Sequence, residues 1–300
     1  MIPLVGSICY GPLEVYQLPR FWWKVLLREA GLLDEEYPDC SGGLDQSVLT
    51  VLGLDKETTL SYLREAMPAY LEFEAWVLEQ KGGALDREPV ERWNEAVRIR
   101  THTRPEKIKE TYTDIGFGDD VEISSAVILN SLQDWQLFHK RDLDADYSSL
   151  GGRVIPLISS LDYGPLEVCQ LPRTWLKVVL KARDLLHPDY PDCGGGLDAK
   201  VLATLGLDQE ATLAHLRDGT PSYLDFEGWV LDQCGGSLDR AAVGEWNLYI
   251  RARVHQPEIV GRIHATIGLE NDGSLTSAVV LNHIEDWHLA HADLMANRSR

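Results

Sequence analysis

Two carboxylates stand where a helix should be apolar. In "PAYLEFEAWVLEQ", successive residues turn by about 100° if the segment is helical, and Tyr70, Leu71, Phe73, Val77 and Leu78 then form one apolar arc. Glu72 and Glu79 fall on the opposite side, whereas Glu74 falls inside the arc. A second copy, "PSYLDFEGWVLDQ", changes the outer pair to Asp225 and Asp232 and keeps Glu227. A buried carboxylate has to be paired, hydrogen-bonded or protonated, and burial by itself raises its pKa. Glu74 and Glu227 are therefore the candidate catalytic acid/base groups. The competing reading is a structural Glu paired with an Arg. His139 and His291 make a similar case. Leu132, Trp135 and Leu143 share a helical face with His139, as Ile284, Trp287 and Met295 do with His291. A lone His there is either an assistant in proton transfer or a satisfied core residue.

Cations that could accompany these groups lie in "YGPLEVYQLPRFWWKVLL". Arg20, Lys24 and Arg28 are spaced to form one line on a helix, repeated as Arg173, Lys177 and Lys181. Such a line either neutralises buried acids, Glu14 or Glu74 in the first copy, or binds a substrate anion. Glu14 and Glu167 stand out of place between apolar neighbours in the same phrase. Asn94 and Asn247 follow Trp93 and Trp246 near an apolar face. With Trp76 and Trp229 these residues make up a candidate substrate pocket, since small-molecule sites combine aromatic walls with a few polar groups.

Glu285 and His288 spell ExxH, the spacing of di-iron carboxylate helices. The first copy has Gln133 and Gln136 there, so a divalent-metal site is an alternative and the expected cofactor is none. The five cysteines form no CxxC, and only Cys40 and Cys193 match between copies, which reads as reduced thiols. There is no P-loop, GxGxxG, nucleophile elbow or HExxH.

Helices have to position these groups. Pro19 suits the start of the first one. Asp45, Asp55 and Asp86, with Asp198, Asp208 and Asp239, each precede a helix-like run and are expected N-caps. "REPVERWNEAVRIR" and "SLQDWQLFHKRDL" read as two further helices, and "EISSAVIL" fits a short strand or a buried helix. The predicted class is mainly α.

The 300 residues are one domain written twice. Aligning Pro3 with Pro156 matches the copies almost without gaps to His102 and His255, and a one-residue slip restores the match up to His139 and His291. The expected organisation is a helical domain over 1–146, a linker over 147–153 and a second helical domain over 154–300. Such a fusion mimics an isologous homodimer, with the halves packed together about a pseudo-two-fold axis. The net charge of −19 argues against nucleic acid and anionic membrane as partners. No apolar run approaches a membrane span and no secretory signal opens the chain, so the expected location is the cytoplasm.

The blocks "YGPLEVYQLPRFWWKVLL", "YPDCSGGLD", "LGLD", "PAYLEFEAWV" and "LNSLQDWQLFH" resemble a bacterial family of small, mainly helical domains of unknown function. The resemblance covers nearly all of both copies and implies a helical fold and a cytoplasmic bacterial protein, but no activity. Members are usually single domains, so the duplication departs from their pattern. The residues themselves lead to three expectations. The first is a cofactor-independent acid/base enzyme, of lyase, isomerase or hydrolase type, acting on a small anionic substrate. In it Glu74 or Glu227 moves a proton, His139 or His291 assists and Arg20 or Arg173 holds the anion. The second is a non-catalytic helical domain that binds a ligand or a protein. The third is a Glu/His divalent-metal protein.

Overall fold

A computed structural model describes residues 1–117, 123–145, 147 and 152–298. It is helical, as the sequence predicts, with fourteen α-helices among the described residues and only isolated β-bridges. Most of the expected linker, 148–151, lies outside the described residues.

The chain divides into two compact units, and these are not the two sequence repeats. One unit is Met1–Arg100 together with Val254–Arg300; the other is Thr101–Arg253. The first holds α1 (Leu18–Glu29), α2 (Leu44–Val51), α3 (Lys56–Ala66), α4 (Tyr70–Gln80) and α5 (Arg87–Arg98). It is completed by α13 (Pro257–Ile267) and α14 (Ala278–Arg298) from the far end of the chain. The second holds α6 (Pro105–Ile115), α7 (Ala126–Leu137), α8 (Leu171–Ala182), α9 (Leu197–Thr204), α10 (Gln209–Gly219), α11 (Tyr223–Gln233) and α12 (Arg240–Ala252). The last two helices of each repeat thus lie in the unit built on the other repeat: α14 packs on α4, and α7 packs on α11.

Local chemistry explains most of the helix boundaries. Asp55, Asp86, Asp208 and Asp239 do cap α3, α5, α10 and α12, each accepting a backbone N–H of the first turn. Asp45 and Asp198 do not: Gly43 and Gly196 hold the cap positions of α2 and α9, and the two Asp side chains turn inward. Within "EISSAVIL" the described part is helical from Ala126, with Ser125 capping α7 through Ile128 N. His139 lies in a π-helical turn, Phe138–Asp142, which continues α7.

Candidate functional site

Glu74 is buried, 4% exposed, as its place in the apolar arc requires, while Glu72 and Glu79 are exposed. Its partner is not an Arg. Tyr70, one turn earlier, donates its hydroxyl to Glu74 Oε1 at 2.8 Å, and Leu13 N approaches both carboxylate oxygens at 3.3 Å. The second unit repeats this with Tyr223 on Glu227 at 2.7 Å and Leu166 N at 3.3 Å. Burial pushes the Glu74 carboxyl up to about 8, and the bonds from Tyr70 and Leu13 offset only part of that rise. Burial likewise takes Glu227 to about 7. Gly11 explains how the loop comes so close. A Cβ there would lie 2.7 Å from Glu74 Oε1 and would also meet the Tyr70 ring; Gly164 stands in the same relation to Glu227 and Tyr223.

The phrase containing Leu13 has no regular structure, so its backbone polar groups need partners from elsewhere. Glu74 serves Leu13 N. Arg87 serves Leu13 O at 3.1 Å, and Asn94 accepts from Tyr16 N at 3.0 Å and donates to Glu14 O at 2.6 Å. Trp93 Nε1 donates to Tyr16 O at 2.9 Å. In the second unit Arg240, Asn247 and Trp246 do the same for Leu166 O, Cys169 N, Glu167 O and Cys169 O. Asn94 and Asn247 are thus spent on holding a loop. Glu14 and Glu167, expected among apolar neighbours, are exposed with positive φ, and they pair with Arg87 and Arg240.

Arg20 and Lys24 of the basic line, with Arg173 and Lys177, have partners inside the fold. Arg20 is buried and donates to Pro3 O at 2.7 Å and Val5 O at 2.8 Å, beside the Tyr37 ring. Arg173 does the same with Pro156 O and Ile158 O. Lys24 meets Asp45 at 2.6 Å, with side chains 5% and 0% exposed, and Lys177 meets Asp198 at the same distance. Asp45 also accepts from Gln17 Nε2 at 2.7 Å and Ser41 N at 2.8 Å. Burial alone would raise its pKa, but the Lys24 charge and these hydrogen bonds outweigh that and hold it below the ordinary value. The buried cation and carboxylate satisfy each other and tie α1 to the start of α2, with Gln17 Nε2 adding a donor while its Oε1 is buried with no hydrogen-bond partner among the described residues.

Glu74 and His139 belong to different units; the His that shares a unit with Glu74 is His291. His291 Nε2 lies 2.9 Å from Met67 O, and His139 Nε2 lies 2.8 Å from Thr220 O. A carbonyl only accepts, so each Nε2 carries the proton. Met67 and Thr220 are the left-handed C-cap residues of α3 and α10, whose carbonyls have no helical partner. Trp22 and Trp175 donate to the next carbonyls, Pro68 O and Pro221 O, both at 2.9 Å. The ExxH pair is occupied differently: Glu285 takes a salt bridge from Arg262 at 2.6 Å. Among the described residues no group of three or more His, Cys, Asp or Glu is placed to hold a metal ion.

Sequence reasoning passed over Tyr70 and Tyr223, which stand four residues before the Glu in both copies. That spacing puts them on one helix face and was the available signal. It also passed over His283, whose Nδ1 meets Tyr10 O at 2.9 Å and which has Ser131 as its counterpart in the other copy, so no repeat pointed to it. Trp76 and Trp229 remain partly exposed. Tyr62 stacks on Trp76 at 4.6 Å and 6°, and His215 on Trp229 at 4.5 Å and 8°. Comparison of the chain with protein-family models, with curated proteins and with solved structures finds no match to any of them.

Proposed function

We propose that the protein is a non-catalytic helical binding module, of the cytoplasmic bacterial kind that its sequence blocks resemble. The observation that carries this reading is the commitment of the candidate catalytic groups to structure. Glu74 holds a loop N–H, His291 a C-cap carbonyl, Arg20 two carbonyls and Lys24 a buried carboxylate. Binding then falls to the surface. In each unit one tryptophan, Trp76 or Trp229, is partly exposed and offers an aromatic surface, since Trp22, Trp23, Trp93, Trp135, Trp175, Trp246 and Trp287 are buried. After burial, the charges of Glu72 and Glu79 are what raise the Tyr62 phenol beside Trp76. An aromatic face next to carboxylates, on a chain of net charge −19, fits a cationic group on the ligand.

The test is a titration with an oligolysine peptide at low salt, read by thermal shift. The expected result is a stabilisation that is lost in the Trp76→Ala/Trp229→Ala double variant and weakens with added salt. Equal stabilisation of the double variant would sink the surface assignment. The second reading is the acid/base enzyme, favoured by a Glu74 carboxyl at about 8 and a Glu227 carboxyl at about 7, near the pH at which a general acid works. It would prevail if any small anion in a metabolite panel were turned over by the wild type and left unchanged by Glu74→Gln and Glu227→Gln variants of unaltered melting temperature.

A further inference from the structure

The two units are completed by reciprocal arms. The arm of the first repeat, α6–α7, sits in the unit of α8–α12, and the arm of the second, α13–α14, sits in the unit of α1–α5. The docking contacts are the same in kind at both places. Trp287 meets the Tyr70 ring edge-on at 4.6 Å and 67°, and Trp135 meets Tyr223 at 4.7 Å and 75°. His291 lies 6.2 Å from the Trp22 ring, and His139 lies 6.4 Å from Trp175. The two histidine bonds end on backbone carbonyls, which every residue supplies. The tryptophan and histidine contacts are therefore matched at the two receptors, whereas His283 on Tyr10 O has Ser131 as its counterpart in the other arm.

Each crossover is fastened to its own arm. Thr101 bridges Ser125 and Val254 bridges Ser277; His102 Nε2 meets Asn130 Oδ1 at 3.0 Å, and His255 Nε2 meets Asn282 Oδ1 at 2.7 Å. Arm and crossover are thus fastened to each other, and each such pair lies in the unit built on the other repeat.

We propose that the C-terminal arm of each repeat is an exchange element whose partner is a second copy of the repeat, and that this chain is an arm-exchanged dimer made permanent by fusion. The linker then acts by raising the effective concentration of one repeat for the other. The test uses the full chain with a protease site placed within residues 148–151 and cut after folding. The halves are expected to stay together as a one-to-one pair on native mass spectrometry at submicromolar concentration. In the uncut chain, Trp287→Ala is expected to raise hydrogen exchange in α1 and α4 by about tenfold or more while α8 and α11 keep their protection. Trp135→Ala is expected to do the reverse. If Trp287→Ala does not fold, His291→Leu gives the same readout, because it removes the bond to Met67 O and spares the larger ring. Halves that separate on dilution, or a Trp287 or His291 variant that loosens α8 and α11 instead, would overturn the proposal.

Discussion

Glu74 and Glu227 are carboxyls that hold a proton at a pH where the unfolded chain has lost it. That property sets a pH dependence with a definite sign. The ordinary value is 4.5, and the folded values are about 8 and about 7. Between those limits the native state binds more protons than the unfolded one, so stability is fully present below the unfolded value. It declines as pH rises toward the folded value, by at most ~1.4 kcal/mol per pH unit for each group. Urea midpoints measured from pH 5 to pH 8 should therefore fall. In Glu74→Gln the fall should be shallower, and what remains should follow Glu227. Midpoints that rise with pH over this interval would mean that both carboxyls are ionised in the folded protein. The same physics accounts for Tyr70, whose phenol is held well above its ordinary value by burial and by the neighbouring carboxyl.

At the scale of elements, side chains that resemble an active site serve as fasteners between helices and irregular segments. Lys24 on α1 and Asp45 in the first turn of α2 are the clearest case. Removing one partner of a buried pair strands the other, at a cost of about 3–5 kcal/mol. Asp45→Asn should lower the stability of its unit by that order, as measured by chemical denaturation, and Asp198→Asn should do so in the other. A loss under about 1 kcal/mol would show that Lys24 finds water or another acceptor. Helix termini were legible in the sequence wherever a cap is a local event: Asp55, Asp86, Asp208 and Asp239 act within their own first turn. Asp45 and Asp198 were misread because their role depends on Lys24 and Lys177, far away in sequence, and a spacing rule carries no information about such partners.

For the whole molecule, the internal sequence match and the division into units do not coincide. The repeat is visible residue by residue, yet the compact units draw on both copies. A chain shortened to end at Gln256 lacks α13 and α14, and with them Trp287, His283 and His291. Such a chain should keep protected amides in α8 and α11 and lose those of α1 and α4, read by hydrogen exchange. Uniform protection would mean that α1–α5 stand without the arm. Among the described residues no helix is long and apolar enough to cross a membrane.

The sequence alone determined the helical class, the repeat, the burial of Glu74 and Glu227 and four of the six expected caps. Each of these is written in residue type and local spacing, and a 3.6-residue period or a cap acts over one or two turns. Only the tertiary structure decided what the buried polar groups touch. It placed Tyr70 and a loop N–H on Glu74 and carbonyls around Arg20, Asp45 on Lys24, and His291 rather than His139 in the unit of Glu74. The two copies share the tryptophan, tyrosine and histidine contacts of the docked arms, so those residues by themselves do not say which arm meets which receptor. The membership of the two units is a property of the folded chain and not of local spacing.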